Sequence, residues 1–125
     1  MASQVGVFSA QNPKEPLLIA RWCVSFFCRL RGLMFRRELP NGVGLVLVES
    51  REGIANTAIH MFAVPFSIGV LWVNKQNEVV DKVIARPWRV YSPARAACYI
   101  VEGLPALVDG IDVGEKVEFR KTDPI

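Results

Sequence analysis

Few side chains in this chain could do acid–base or nucleophilic chemistry. His60 is the only histidine, so a multi-histidine metal site is excluded and a zinc site would depend on three scattered cysteines. His60 could act as a general base, but no Gly-x-Ser-x-Gly sequence offers it a serine nucleophile. We expect His60 to be a strand residue with a satisfied hydrogen bond, and we predict no metal and no cofactor.

Glu102 and Cys98 belong to one apolar run near the carboxyl end. A cysteine in such a run behaves as a small, protonated hydrophobe. No second carboxylate lies at a spacing that identifies an acid–base pair. Glu102 is therefore expected to bind an arginine of the first helix or a backbone amide. The catalytic alternative is a small hydrolase or lyase in which His60, Glu102 and an arginine lie within about 3 to 4 Å in a cleft.

Two features favour a binding site. Trp88, Arg89 and Tyr91 follow one another in a predicted loop, where the rings could stack on a ligand and the guanidinium could donate a charged hydrogen bond. Arg29 and Arg36 are seven residues apart and would share one edge of a helix. The structural alternative is that Trp88 only fixes the loop to the core.

Positive charge is concentrated in two segments that contain no acid. Residues 21–37 carry five bases and residues 82–99 carry four. If the two segments meet, they form one positive face that attracts anions. If they point in different directions, they are only solvated surface.

The length of 125 residues, of which 51% are hydrophobic and 22% charged, suits one domain. We predict a core over residues 17–119, a loose lead over 1–15 and a tail over 121–125. The first twenty residues lack the apolar centre of a secretory signal, which predicts a cytoplasmic protein with reduced cysteines. A Cys23–Cys28 bridge across a helix start is the less favoured alternative.

The local pattern predicts a mainly β fold. Seven short apolar runs bounded by turn residues are strand candidates: 17–22, 43–48, 58–64, 68–73, 79–84, 97–101 and 116–119. Residues 74–77 form the turn of a hairpin, and Ser25 is the N-cap of a helix over about 26–35. A second short helix is predicted over 104–110. We therefore expect one antiparallel β-barrel or sandwich of six to seven strands with the first helix packed on it.

Several segments in this order resemble the bacterial and archaeal family known as domain of unknown function 192. They are Arg29-Leu30-Arg31-Gly32-Leu33-Met34-Phe35-Arg36, His60-Met61-Phe62, Pro87-Trp88-Arg89, Glu102-Gly103-Leu104-Pro105 and Gly110-Ile111-Asp112-Val113-Gly114-Glu115. The resemblance runs from about residue 17 to 119. It implies a compact β-rich domain, export for many relatives, and no established activity.

One segment departs from the family pattern. After the aromatic pair, relatives carry a base and an aspartate, whereas this chain has Val64, Pro65, Ser67, Ile68 and Gly69. We interpret the missing pair as structural and replaced by apolar packing, a change that can be energetically neutral. Loss or specialisation of a polar site is the alternative.

These observations predict a non-catalytic binding or accessory domain. Its ligand would be a small anionic or sugar-like molecule, or a partner protein, held by a basic and aromatic face. The candidate residues are Arg29, Arg36, His60, Trp88, Arg89, Tyr91 and Glu102. No specific nucleic acid and no membrane span are expected, and nothing predicts an oligomeric state. A third possibility is peripheral membrane contact through Trp22, Phe26, Phe27 and the arginines.

Overall fold

The structure is a computed structural model that describes the backbone of residues 3–122 and their side chains except those of Ser3, Phe26, Phe27 and Leu30. It contains one short α-helix, two 3-10 helices (Ala55–Thr57 and Pro105–Asp109) and nine strands. In chain order the elements are β1 Ser3–Ser9, β2 Leu18–Cys23, α1 Phe26–Arg31, β3 Val43–Gly53, β4 Ile59–His60, β5 Ile68–Val73, β6 Val79–Ala85, β7 Val90–Tyr91, β8 Ala97–Gly103 and β9 Val117–Lys121.

Seven strands form one sheet in the order β6-β5-β8-β3-β2-β1-β9. The sheet curls into a half-barrel. All its neighbouring pairs are antiparallel except β2 and β3, which are parallel because α1 lies in the connection between them. The short strands β4 and β7 pair separately. The prediction of a mainly β, mainly antiparallel fold is confirmed, with one curled sheet as the architecture.

Both faces of this sheet are buried. In β5, Val70 and Trp72 belong to one apolar cluster, whereas Leu71 and Val73 belong to another, as alternation along a strand requires. We call the first the helix face because Cys28 of α1 and Leu33, which follows the helix, pack there. The opposite face is covered by Leu107, Ile111 and other residues near the second 3-10 helix.

Two predicted segments differ from the structure. The lead that we expected to be loose contains β1, whose Val5 and Val7 are buried between β2 and β9. The strand predicted over 58–64 is reduced to Ile59–His60, because the chain turns at Met61 and Ala63 adopts a positive φ of 58°. The second predicted helix is the 3-10 helix Pro105–Asp109.

Helix α1 is shorter than predicted. Ser25 caps it as expected, and its Oγ accepts a hydrogen bond of 3.1 Å from the Cys28 backbone amide. The helix ends at Gly32, whose φ of +47° suits a residue without a Cβ and whose N–H donates to the Cys28 carbonyl. Arg36 therefore lies in the following loop, so the prediction that it shares a helix edge with Arg29 is wrong.

The prediction of three reduced cysteines is also wrong. Cys23 at the end of β2 and Cys28 in α1 form a disulfide, and Cys98 is free and buried. Their Cα atoms are 5.6 Å apart, which lies within the usual range for a bridge. The Ser25 cap turns the chain back onto the end of β2, and this tertiary geometry brings together two residues whose spacing matches no sequence motif.

We expect this bridge to add about 2 kcal/mol to the free energy of unfolding, since it closes a loop of only a few residues. The double variant Cys23→Ala/Cys28→Ala should lose that amount in chemical denaturation. Under denaturing conditions without reductant, a thiol-alkylating reagent should modify Cys98 alone. Modification of all three cysteines would contradict the bridge.

Membrane contact through the first basic segment finds no support from the described side chains. Trp22 packs against Tyr99 and Phe119, with ring centroids 5.9 and 5.4 Å away. Leu33 is 3% exposed. The predicted contact also included Phe26 and Phe27, whose side chains are not among those that the structure describes. Among the described residues, no helix has the length and apolar character needed to span a membrane.

Candidate functional site

Glu102 lies in the middle of the sheet, on the helix face. Glu102 belongs to β8, and the residues opposite it on the two adjoining strands are Leu45 of β3 and Val70 of β5. Both belong to the apolar cluster of that face. Gly44 keeps the β3–β8 pair close, since a Cβ on it would collide with the Glu102 carbonyl oxygen. Glu102 is 5% exposed.

The carboxyl group of Glu102 has no partner among the described residues. Burial raises its pKa from 4.5 to about 7, and desolvation is the only cause of this shift. Arg29 and Arg31 on α1, Glu49 on β3 and His60 on β4 are the charged or titratable residues that share its cavity, and none of them offsets the desolvation. The carboxyl group is thus mainly neutral at pH 6.

A cavity of about 240 Å³ adjoins this carboxyl group between the end of α1 and β4. Among the described residues, every side-chain nitrogen or oxygen that is completely shielded from solvent has a hydrogen-bond partner. The Glu102 oxygens have no such partner, so they are not completely shielded and face the cavity. Its remaining walls are mostly apolar: Leu33, Met34, Leu47, Ile59, Met61, Val64 and Ile68. A pocket with apolar walls and a few polar groups has the usual composition of a small-molecule site.

Three of the seven predicted site residues line this cavity: Arg29, His60 and Glu102. Arg29 is held by the protein itself. Its Nη1 donates to the carbonyl oxygens of Val24 and Val48, and its Nε lies 3.7 Å from Oε1 of Glu49. These contacts fix α1 to β3, so Arg29 positions one wall of the cavity.

His60 lines the cavity from β4. Its Nδ1 accepts a hydrogen bond of 3.3 Å from the Phe62 backbone amide. In the neutral ring this acceptor role assigns the hydrogen to Nε2. The imidazole ring also stacks on Phe62, with centroids 5.1 Å apart.

Exposed aromatic and apolar side chains lie beside His60. Phe62 is 45%, Trp88 67% and Val90 62% exposed, and the Phe62 and Trp88 ring centroids are 6.2 Å apart. The Trp88 backbone has a φ of 67°, and its amide donates to the Met61 carbonyl. We call Phe62 and Trp88 the aromatic rim. This exposure contradicts the alternative in which Trp88 fixes its loop to the core.

Tyr91 has that structural role instead. It packs against the helix-face cluster, and its hydroxyl accepts a hydrogen bond of 2.9 Å from the Arg86 backbone amide. Arg89 is exposed, and its carbonyl accepts from the Met61 amide, so the loop is anchored through its backbone. Neither side chain lines the cavity.

Both basic segments are bonded to residues 61–63 through the backbone. The Ala63 carbonyl accepts a hydrogen bond from the Phe35 amide, while Met61 pairs through its backbone with Trp88 and Arg89. One stretch of backbone therefore connects the two segments. Arg36 lines a second pocket with Arg21 and Arg31 on the far side of Gly32.

The resemblance noted in the sequence is upheld by a direct comparison. The model of domain of unknown function 192, described as "Uncharacterized ACR", matches residues 10–119. The chain belongs to this family.

Archaeal members of the DUF192 family are similar over most of the chain. A UPF0127 protein of Pyrococcus furiosus is 36% identical over 110 residues, which cover 86% of this chain and 92% of the relative. A UPF0127 protein of Thermococcus kodakarensis is 40% identical over 91 residues, which cover 73% of this chain but only 57% of the longer relative.

Two solved structures share the fold. A protein of Sinorhizobium meliloti described as a "putative transcription regulator" has a TM-score of 0.81 at 17% identity, covering 95% of this chain and 94% of its own. A protein of unknown function from Novosphingobium aromaticivorans has a TM-score of 0.75 at 20% identity, with coverage of 94% and 84%. At these identities the similarity concerns the fold alone.

The segment that departs from the DUF192 pattern forms part of the cavity wall. Val64 and Ile68 are 3% and 1% exposed and pack in the helix-face cluster. Apolar packing thus occupies the segment where the family pattern has a base and an acid. Sequence reasoning missed Arg31, Gly32 and Glu49 as cavity residues. The Arg31-Gly32 pair within the family motif was the available signal.

Proposed function

We propose that this protein binds a small sugar-like or anionic ligand without acting on it chemically. The observation that carries the proposal is the buried Glu102 carboxyl group, which faces a cavity and lacks a hydrogen-bond partner among the described residues. The Glu102 oxygens open onto the cavity, and a polar group in such an apolar surrounding is stabilised by a hydrogen-bond partner. A ligand in the cavity would provide the missing partner.

The polar groups of the cavity favour a ligand with hydroxyl groups. A neutral carboxyl group both donates and accepts a hydrogen bond, and His60 offers a donor at Nε2. A hydroxyl group can satisfy either. The cavity volume of about 240 Å³ corresponds to roughly eight waters at about 30 Å³ each, so a monosaccharide-sized molecule is a suitable probe.

The aromatic rim supports the same ligand class. Phe62 and Trp88 present exposed rings next to His60, and aromatic faces provide large apolar contact area at low cost in side-chain entropy. The part of the ligand that protrudes from the cavity would lie against these rings. Exposed Arg89 would reach polar groups at the outer edge.

A small hydrolase or lyase is the second candidate. The observation that favours it is the raised pKa of Glu102, about 7, because a general acid or base is most effective near the working pH. Two contacts favour binding instead. The Nδ1 of His60 already accepts the Phe62 amide, and Arg29 is committed to Val24, Val48 and Glu49.

The proposal is tested by titrating ¹⁵N-labelled protein at pH 6 with glucose, galactose, mannose and N-acetylglucosamine. We expect at least one sugar to shift the amide signals of Gly32, His60 and Glu102. Glu102→Leu should weaken that binding at least about tenfold, as the loss of a buried hydrogen bond predicts. Glu38→Gln, an exposed acid outside the cavity, is the matched control and should bind as the wild type does.

Shifts confined to other regions, or equal affinity in Glu102→Leu, would refute the proposed site. Glu102→Gln separates binding from catalysis, because an amide keeps a donor and an acceptor but cannot exchange a proton. It should retain most of the affinity. Cleavage of a glycoside of the bound sugar by the wild type and not by Glu102→Gln would instead establish the enzyme.

A further inference from the structure

A second pocket, of about 420 Å³, lies beside the ligand cavity and has a different lining. Three arginines surround it: Arg21, Arg31 and Arg36. No aspartate or glutamate is among its described lining residues. Arg31 and Gly32 separate this basic pocket from the Glu102 cavity, since both residues line the two spaces.

The fold brings these arginines together from three separate elements. Arg21 lies on β2 opposite Leu45 of β3, and Leu45 also lines the pocket. Arg31 is the last residue of α1, which the Cys23–Cys28 disulfide ties to the end of β2. After the turn at Gly32, the chain returns and places Arg36 on the same pocket.

Within the described part of the chain, none of the three guanidinium groups has an acidic partner. Three other bases among the described residues do have acidic partners: Arg29 with Glu49, Lys82 with Asp112 and Arg120 with Glu118. Three like charges around one concavity repel one another and raise the local concentration of anions. A bound anion would relieve that repulsion.

We propose that this basic pocket binds the phosphate group of a small phosphorylated ligand. Guanidinium groups bind phosphate through paired hydrogen bonds. Three guanidinium groups match the two negative charges of a phosphate dianion better than the single charge of a carboxylate. The pocket is larger than a phosphate ion, which leaves room for the group that carries it. A concave site favours such a compact anion over an extended polyanion.

This inference goes beyond the proposed function, because it rests on three arginines and not on the buried carboxyl group. Only Arg31 and Gly32 are common to the two spaces. Phosphate binding should therefore persist in Glu102→Leu even if that variant loses sugar binding. If the protein fails to bind sugar in the Glu102 cavity, phosphate binding in the basic pocket can still be tested, and the reverse also holds.

The experiment uses inorganic phosphate and pyrophosphate as probes, with amide shifts and calorimetry as readouts. We expect shifts at Arg21, Arg31 and Arg36, with an affinity that falls as sodium chloride rises. The double variant Arg21→Gln/Arg36→Gln should bind pyrophosphate at least tenfold more weakly. Arg37→Gln is the matched control, since Arg37 is exposed beside Arg36 but lies outside the pocket.

Two results would overturn the inference. One is the absence of shifts at the three arginines with either probe at low salt. The other is a loss of pyrophosphate affinity that is the same, per charge removed, in the double variant and in Arg37→Gln. That result would mean that the arginines act only as diffuse surface charge. The same conclusion would follow if all these variants lost retention on heparin in proportion to the charge removed while their affinity for pyrophosphate stayed unchanged.

Discussion

At pH 8, Glu102→Gln is expected to raise the free energy of unfolding by about 3 kcal/mol over the wild type. The Glu102 pKa is about 7 in the folded protein and 4.5 without the effect of burial. Between these values the folded state holds a proton that the unfolded state has released, so wild-type stability falls as the pH rises. A difference of about 2.5 pKa units corresponds to about 3 kcal/mol.

The measurement is urea denaturation of both proteins at several pH values from 4.5 to 8.5. The two curves should nearly coincide near pH 4.5, where the carboxyl group is neutral in the folded state and only half ionised in the unfolded state. Above pH 7 the full difference should be present. Glu38→Gln controls for the loss of one surface charge and should show no such trend. A stability difference between wild type and Glu102→Gln that does not vary with pH would mean that this carboxyl group has an ionic partner.

Leu33→Ala is expected to lower the free energy of unfolding by about 2–5 kcal/mol, the usual cost of deleting a buried leucine side chain. Leu33 is 3% exposed and packs in the helix-face cluster. It also lines the Glu102 cavity, so the substitution enlarges an existing space. Chemical denaturation monitored by tryptophan fluorescence would measure the loss.

Val113→Ala is the matched control, because Val113 is 45% exposed and surface substitutions usually change stability by less than about 0.5 kcal/mol. An unchanged denaturation midpoint for Leu33→Ala would show that the segment after α1 contributes little to the core. It would also deprive the cavity of a fixed wall.

The parts of the fold that were predicted correctly rest on local signals. The hairpin of β5 and β6 follows from two apolar runs joined by Asn74-Lys75-Gln76-Asn77, and Asn74 Oδ1 accepts from the amides of Gln76 and Glu78. The Ser25 cap is likewise a short-range feature. The family motifs identified the chain because they lie in a fixed order.

The features that were missed depend on contacts between distant residues. β1 is stabilised by β2 and β9, and its own four-residue pattern of Val5-Gly6-Val7-Phe8 is too short to indicate a strand. The apolar run over 97–101 predicted a strand that ends at Glu102, but only the position of α1 decides that the face of Glu102 is covered. The Arg21, Arg31 and Arg36 pocket needed the disulfide and the turn at Gly32, neither of which a charge count reveals.

The pairing of β1 with β9 has a consequence for how the chain reaches this state. Val5 lies opposite Lys121, 116 positions later, and such long-range pairing slows folding because loop closure must precede the contact. At synthesis rates of about 5–20 residues per second, β1 waits on the order of ten seconds for this neighbour. Until then one edge of β1 is unpaired, so crowded nascent chains could pair there with one another.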